Sequence, residues 1–293
     1  MLFKAAMSDP AHPDRNRRKL YGRRKGPKLS QRQAGLRRTL LGELAYDPAS
    51  DPFSQFQNGV QDTSPLREAQ AGEGAVAGPG REAPLESIAR SARGASESGR
   101  GSIKEIWLEV GFGAGEHLVW QARNHPLVGM IGAEPYEMGM AKLLTKLEET
   151  PLNSVRLYEG DGRDILEKLP DQSLGRFFLL FPDPWPKTRH HKRRFLQMEM
   201  LDQLARVLKP GAELRFATDD KSYLLYALER LMAHPAFEWL ATGPSDWKNR
   251  PADWPPTRYE TKAIKGLPTF LRFVRRKGSG TSLSAAASDK KAS

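Results

Sequence analysis

The chain has 293 residues, a formal net charge of +11 and no cysteine. This length suffices for one large domain or two small ones, and the lack of cysteine excludes disulfides and thiolate metal sites. The six histidines are scattered, so we expect no metal centre. No apolar run approaches the roughly 18 residues of a membrane span, and the N-terminus lacks the apolar core of a signal peptide. We therefore expect a cytoplasmic protein that does not enter a membrane.

The first 46 residues form a basic arm. They contain twelve Lys and Arg against three Asp and Glu. Basic arms of this kind commonly lie along phosphate backbones, although a solvated basic tail is nearly as common. We favour contact with nucleic acid, and we expect one helix over residues 31–44 of the arm.

Residues 47–104 have a different composition. They are rich in Gly, Ala, Ser, Glu and Pro and contain neither Trp nor Tyr. Such a segment cannot bury enough apolar surface to offset the entropy lost on ordering. We predict a disordered linker over residues 47–104 and a disordered tail over 277–293, with the folded domain over 105–276 between them.

The folded domain begins with an apolar strand-like run, followed by a glycine-rich turn and a helical pattern. The turn carries Gly111, Gly113 and Gly115 in the spacing G-x-G-x-G. Glycines let the backbone approach a ligand closely, and the following helix offers free amides at its N-terminus. The spacing is tighter than the dinucleotide motif and favours a mononucleoside ligand such as S-adenosylmethionine. From the loop alone, an ordinary strand-to-helix turn is an equally good interpretation.

Strand and helix patterns alternate through the rest of the domain, which predicts an α/β fold. The predicted strands cover residues 106–110, 127–132, 155–158, 176–181, 213–217, 237–240 and 269–275. The predicted helices cover residues 116–123, 138–149, 195–208 and 223–232. Open sheets of this class bind ligands beyond the carboxyl ends of their strands.

Acidic residues stand at several of these strand ends. Glu134 follows the second strand, nineteen residues after Gly115, where a carboxylate can accept from both hydroxyls of a ribose. Asp161 follows the third strand, where it can accept from the adenine amine, cap the helix that starts near Arg163, or do both. Asp219 follows the fifth strand and faces the ligand or caps the next helix.

The fourth strand runs into a loop with prolines at 182, 184 and 186. Because proline fixes φ, this loop is stiff and presents Asp183 and Trp185 at the ligand crevice. A basic run over residues 187–194 follows, and its Arg189, Lys192, Arg193 and Arg194 are our candidates for contacts with a polyanionic substrate. The alternative is a solvated basic loop.

The segments LEVGFGAGEHL, GAEPYE, GDGRDIL, PDPWPKTRHHKRR, ATDDKSY and TRYETKA stand in this order between residues 105 and 276. In sequence and spacing they resemble the bacterial tRNA (guanine-N7-)-methyltransferase family. PDPWPK together with the later TRYE is highly specific, whereas the glycine loop alone indicates only a class I methyltransferase. The long segment 47–104 departs from the common pattern of the family.

The resemblance implies a Rossmann-like class I methyltransferase fold, with a seven-stranded, mostly parallel sheet and helices on both faces. It also implies transfer of a methyl group from S-adenosylmethionine to N7 of a guanine in the variable loop of tRNA. The cofactor-site residues carried over are Glu109, Glu134, Asp161 and Asp183, and the substrate contacts are Lys187, Asp219, Thr257, Arg258, Tyr259 and Glu260.

The chemistry of guanine N7 makes Asp183 our candidate catalytic residue. N7 carries a lone pair and needs alignment more than a strong base, while the ring becomes positive and a carboxylate would stabilise that charge. A catalytically silent RNA-binding subunit, or a methyltransferase acting on another base, stays open as the alternative. The sequence leaves the oligomeric state open between monomer and homodimer.

Overall fold

The structure, a computed structural model, describes residues 24–57, 102–258, 260 and 266–278. The helices are α1 (Gln31–Arg38), α2 (Leu40–Leu44), α3 (Ser54–Gln57), α4 (Glu116–Asn124), α5 (Glu137–Glu149), α6 (Gly162–Lys168), α7 (Met198–Val207), α8 (Lys221–Ala233), α9 (Ser245–Lys248) and a 3-10 helix (Thr188–Arg193). The strands are β1 (Glu105–Val110), β2 (Val128–Ala133), β3 (Val155–Tyr158), β4 (Leu174–Leu180), β5 (Leu208–Thr218), β6 (Phe237–Trp239) and β7 (Thr269–Arg275).

The seven strands form one sheet in the order β3-β2-β1-β4-β5-β7-β6. Strands β1 to β5 run parallel to one another, while β7 runs antiparallel to both β5 and β6. This is the Rossmann-like class I methyltransferase arrangement, so the predicted fold class is confirmed. Because strand order reverses outward from β1 and β4, the sheet has its switch point between these two strands, where such folds bind ligands.

Both faces of the sheet are covered, as a nearly all-apolar central strand requires. In β1, Ile106, Leu108 and Val110 enter one apolar cluster, which α6, α7 and α8 complete. Trp107 enters the other, which α4 and α5 complete. The alternation of side chains along β1 therefore divides the core into two layers, with Glu109 on the same face as Trp107.

The N-terminal segment packs on the domain. The predicted helix over 31–44 is divided at Thr39 into α1 and α2. Ser30 and Gln33 form a capping box at the start of α1, and Leu36 is buried against the α5 layer. Arg32 donates to Glu148 of α5 at 2.8 Å. At least this part of the predicted arm is therefore a component of the domain, while residues 1–23 lie outside the described residues.

The prediction of a disordered linker from residue 47 is wrong for its first eleven residues. Phe56 of α3 is only 5% exposed, and its ring lies where a Cβ on Gly129 would come within 2.7 Å. Arg156 stacks over that ring at 5.2 Å and donates to the Gln55 carbonyl at 2.8 Å. Phe56 anchors this otherwise polar segment, because β2 offers Gly129 where the ring fits, and Phe53 packs against the same apolar cluster. Residues 58–101 and 279–293, with the remaining linker and most of the predicted tail, lie outside the described residues.

The predicted helix over 195–208 is also corrected, because α7 begins only at Met198. Phe195 stacks on Phe177 at 5.9 Å, and its backbone N–H donates to the Tyr223 hydroxyl at 2.9 Å instead of to a helical carbonyl. Gln197 donates to the carbonyls of His191 and Arg194. Tertiary hydrogen bonds thus hold this segment as a turn, despite its helical spacing of apolar residues.

Candidate functional site

The proposed site residues follow adjacent parallel strands. In the order of the sheet, Asp161 follows β3, Glu134 follows β2, the glycine loop follows β1, Asp183 follows β4 and Asp219 follows β5. Because the carboxyl ends of parallel strands meet at one edge, the sheet brings motifs that are separated by more than a hundred residues into one row.

The glycine loop has the backbone conformation that its sequence predicts. Gly111, Gly113 and Gly115 have φ of 76°, 58° and 74°, which residues with a Cβ rarely adopt. A Cβ on Gly111 would meet nothing within 4 Å, whereas one on Gly115 would lie 2.6 Å from Leu143. Gly115 is therefore required for packing under α5, and Gly111 leaves open space beside the backbone at the strand ends.

Glu134 is buried and held by two backbone amides. Its Oε2 accepts from Gly113 N at 2.7 Å and its Oε1 accepts from Tyr136 N at 2.9 Å. Burial raises the pKa of Glu134 to about 7, against the opposing effect of these two hydrogen bonds, and the negative charges of Asp183 and Glu109 add to the rise. The carboxylates of Asp183 and Glu109 are therefore close enough to affect the ionisation of Glu134.

Glu109 is also buried, with 2% of its surface exposed. Its Oε2 lies 2.8 Å from Nδ1 of His117 on α4. The Nε2 atom of His117 lies 3.1 Å from Nε2 of Gln121, one turn further along the helix. Glu109 is thus oriented by a buried polar pair on the helix that follows the glycine loop.

Asp161 caps α6, as one of its two sequence interpretations predicts. It accepts from Arg163 N at 3.0 Å, and the Arg163 guanidinium binds both of its oxygens, with Nε at 2.9 Å from each. The carboxylate is therefore fixed before any ligand binds, and a cofactor amine would share it with Arg163.

Arg37 connects the segments that follow β2 and β3. Arg37 of α1 pairs with Glu137, at the start of α5, and with Glu159, after β3, at 2.6 Å. Its side chain is 28% exposed, so solvent screens these pairs only in part. The N-terminal segment thus braces the two loops that carry Glu134 and Asp161.

The loop that carries Asp183 has a strained backbone. Phe181 and Trp185, on either side of Asp183, have φ of 50° and 46°, and positive φ is rare for bulky residues and concentrates at functional sites. Phe181 N donates to Ala217 O at 2.8 Å, which fixes the loop to the end of β5. Asp183 itself is exposed.

One of the four predicted RNA contacts is corrected. Arg194 is 1% exposed. Its Nε donates to Pro184 O at 2.8 Å, and its Nη2 donates to the Ser222 hydroxyl at 2.8 Å. The rings of Tyr223 and Tyr226 flank its guanidinium. It anchors the proline loop to α8 and cannot reach a substrate. Arg189, Lys192 and also Lys187 are exposed, and Arg193 lies over the Trp185 ring at 4.8 Å.

The segments that carry Asp219 and Thr257 are held by hydrogen bonds of their own. Asp220 caps α8 by accepting from Tyr223 N at 2.9 Å, so the capping role considered for Asp219 belongs to its neighbour. Gly266 passes so close to Asp219 that a Cβ there would lie 3.1 Å from the Asp219 carbonyl. Thr257 accepts from Glu260 N at 3.3 Å, Glu260 accepts from Arg250 at 2.7 Å, and Arg258 is exposed. Tyr259 lies outside the described residues.

Among the described residues, no group of three or more His, Cys, Asp or Glu side chains is arranged to hold a metal ion. Within the same part of the chain, none of the helices has the length and apolar character needed to cross a membrane.

Comparison with known proteins identifies the family. A family model described as "Putative methyltransferase" matches residues 104–269. The tRNA (guanine-N(7)-)-methyltransferase of Ruegeria pomeroyi is 42% identical over 268 residues, which is 91% of this chain and 98% of the relative. The chain belongs to the tRNA (guanine-N7-)-methyltransferase family.

Other members are similarly close. The tRNA (guanine-N(7)-)-methyltransferase of Jannaschia sp. is 40% identical over 92% of this chain and 99% of the relative. That of Rhodospirillum rubrum is 51% identical over 59% of this chain and 69% of the relative. The resemblance found in the motifs is thereby confirmed, and the chain is a methyltransferase.

Three residues of this methyltransferase were missed by sequence analysis: Arg37, His117 and Gln121. His117 and Gln121 had a weak signal, since both stand on the α4 face that also carries Leu118 and Ala122, where polar side chains are unusual. Arg37 had none, because an arginine in a basic segment reads as solvated. Its acidic partners lie 100 and 122 residues away in the chain.

Proposed function

We propose that this protein transfers the methyl group of S-adenosylmethionine to N7 of a guanine in the variable loop of tRNA. The observation that carries the proposal is the row of strand-end residues, in which Glu134 binds the glycine loop and lies within the electrostatic influence of Asp183. Membership of the family supports the choice of donor and of acceptor.

The residues on one half of the row fit an adenosine-containing donor. We call Glu109, Glu134, Asp161 and the glycine loop the cofactor side. Glu134 would accept from the ribose hydroxyls, Asp161 would accept from the adenine amine, and the loop at Gly111 leaves the backbone open to the amino-acid end. S-adenosylmethionine supplies an electrophilic methyl group on a sulfonium sulfur.

The other half fits an RNA base and its phosphates. We call Asp183, Lys187, Asp219 and the segment Thr257, Arg258, Tyr259 and Glu260 the acceptor side. Asp183 would also contact the cofactor, as the family motifs imply. Lys187, Arg189 and Lys192 are exposed cations, which suits contact with the phosphate backbone. Asp183 and Asp219 are acceptors for the donor groups on the edge of guanine.

Asp183 acts on the developing charge. N7 attacks with its lone pair, so the enzyme has to align the base more than it has to remove a proton. The bond between the methyl carbon and the donor sulfur would break as the bond to N7 forms, and the donor would leave as a neutral thioether. The guanine ring becomes cationic in this step, and a carboxylate beside it would lower the energy of that state relative to the neutral ring. The neighbouring prolines and the positive φ of Phe181 and Trp185 restrict the backbone that carries Asp183.

The test is incubation of the purified protein with methyl-labelled S-adenosylmethionine and bulk tRNA, followed by nucleoside analysis. We expect label only in 7-methylguanosine, and none when the variable-loop guanine of a transcript is replaced by adenine. Label in another nucleoside would contradict the acceptor, and label in a guanine elsewhere would contradict the position. Binding of tRNA without any label would support the alternative of a silent RNA-binding subunit.

A further inference from the structure

A series of hydrogen-bonded, buried polar side chains begins on the cofactor side of the site. It runs from Glu109 through His117 to Gln121, which are 2%, 2% and 0% exposed. Apolar rings surround it: Phe178 lies 4.6 Å from the His117 ring and Trp254 lies 6.1 Å from it, both edge to face. The series ends at Asp253, whose backbone carbonyl accepts from Gln121 Nε2 at 2.8 Å.

The hydrogen bonds fix the direction of every donor. The Asp253 carbonyl can only accept, so the amide nitrogen of Gln121 must point towards it. The same nitrogen lies 3.1 Å from His117 Nε2, which must therefore accept. Nδ1 then carries the ring proton and donates to the Glu109 carboxylate at 2.8 Å. His117 is thus the Nδ1–H tautomer, while the Oε1 atom of Gln121 is buried without a hydrogen-bond partner among the described residues.

The two ends of this hydrogen-bonded series belong to different parts of the site. Glu109 is on the cofactor side, at the end of β1. Asp253 lies in the loop that leads into Thr257 on the acceptor side, and its carboxylate is held by Arg215 at 2.7 Å. Trp254 is 4% exposed and fills the space beside His117. Hydrogen bonds thus connect Glu109, His117, Gln121 and Asp253 in a continuous series from the cofactor side to the acceptor side.

We propose that His117 and Gln121 are positioning residues that orient Glu109 for the cofactor and tie it to the loop before Thr257. This inference rests on the proposed function. His117 donates the hydrogen bond that selects one orientation of the Glu109 carboxylate, and Gln121 holds His117 in the matching tautomer. Through the Asp253 carbonyl, Gln121 also fixes the loop that approaches the acceptor segment.

Two variants of His117 separate positioning from packing. His117→Asn places an amide nitrogen near the position of Nδ1, so the hydrogen bond to Glu109 is kept. His117→Gln places its amide near the position of Nε2, so Glu109 loses its donor. Both replace the ring by an amide, and both should lower the melting temperature to a similar degree.

The measurement is the dissociation constant of S-adenosylmethionine by calorimetry on the full chain. We expect His117→Gln to weaken binding about tenfold, the usual worth of a hydrogen bond to a charged group, and His117→Asn to weaken it less than about threefold. In a Glu109→Ala background, His117→Gln should have no further effect. Equal affinities for the two variants, or an undiminished effect in that background, would overturn the proposal.

Gln121→Leu tests the connection to the acceptor loop. The substitution keeps the side-chain volume and removes both amide N–H donors. It should therefore weaken binding of the cofactor about threefold and raise KM for tRNA by a similar factor. If KM for tRNA does not change, the connection to the loop is refuted. If wild-type protein binds no S-adenosylmethionine at all, the proposed function fails instead, and the two failures are therefore distinct.

Discussion

The cofactor side and the acceptor side of the site are built differently. Glu109 and Glu134 are 2% and 6% exposed, and hydrogen bonds from His117 and from two backbone amides fix their carboxylates. On the acceptor side, Asp183 and Lys187 are exposed. Their loop is positioned through its backbone, by the positive φ of Phe181 and Trp185 and by the Arg194 anchor.

The difference follows from the sizes of the two ligands. A small cofactor can be enclosed, so its contacts can be oriented beforehand by buried hydrogen bonds, which are strong in a dry interior. A folded RNA cannot be enclosed, and the side chains that meet it have to reach into solvent. Their direction must then come from a rigid backbone beneath them.

Asp183→Asn should have the largest effect. The substitution keeps size and most hydrogen bonds but removes the charge that stabilises the cationic guanine, so turnover should fall on the order of a hundredfold. Turnover should be measured at saturating S-adenosylmethionine and tRNA, with cofactor affinity as the control. A near-normal rate would reduce Asp183 to a structural part of its loop and direct attention to Glu260.

Arg194 and Arg189 should behave in opposite ways although they stand in one basic run. Arg194→Gln removes the anchor of the proline loop, so turnover should fall roughly thirtyfold, because small displacements of reacting groups are costly. The salt dependence of tRNA binding should not change. Arg189→Gln should raise KM for tRNA and reduce the salt slope by about one unit. A reduced salt slope for Arg194→Gln would mean that this arginine does contact RNA.

Glu134→Gln should weaken binding of the cofactor about tenfold. It should also change how the stability of the fold depends on pH. Because burial raises the pKa of Glu134 from 4.5 to about 7, the stability it contributes is fully present below pH 4.5 and is lost as pH rises through 7. The loss is on the order of 3 kcal/mol. Melting curves without cofactor should therefore fall more between pH 5 and 8 for wild type than for Glu134→Gln.

Cofactor binding should show the opposite dependence on pH. Ribose hydroxyls donate to an ionised carboxylate, so the affinity of wild-type protein should rise between pH 6 and 8 and binding should release a proton near pH 6.5. Parallel pH profiles for wild type and Glu134→Gln would show that another group titrates in this range.

Arg37→Met should have the smallest effect. It removes the brace between Glu137 and Glu159, and the loops that carry Glu134 and Asp161 should become less ordered. Because these pairs are partly exposed, we expect the cofactor to bind only about threefold more weakly. Arg38→Met, one residue away at an exposed position, is the matched control and should leave the affinity unchanged. Equal effects of the two variants would point to net charge instead of the brace.

The sequence by itself determined which residues stand at the strand ends of the site, whereas the order of the strands in the sheet came only from the fold. Strands of the central sheet are short apolar runs, and the glycine loop and strand-end acids follow them directly, so both are encoded within a few neighbouring residues. The family motifs added Glu109 and the substrate contacts. These local signals were sufficient for β1, for β7 and for the capping role of Asp161.

Only the tertiary structure decided which polar residues are exposed and which are buried. The basic run reads as one solvated stretch, yet Arg194 is enclosed between two tyrosines. Phe56 lies in a polar segment, yet it packs against Gly129. His117 and Arg37 act through partners that are remote in the chain or on another element. Composition and periodicity describe a residue's neighbours in sequence, whereas burial and ion pairing depend on surfaces that the chain brings together only when it folds.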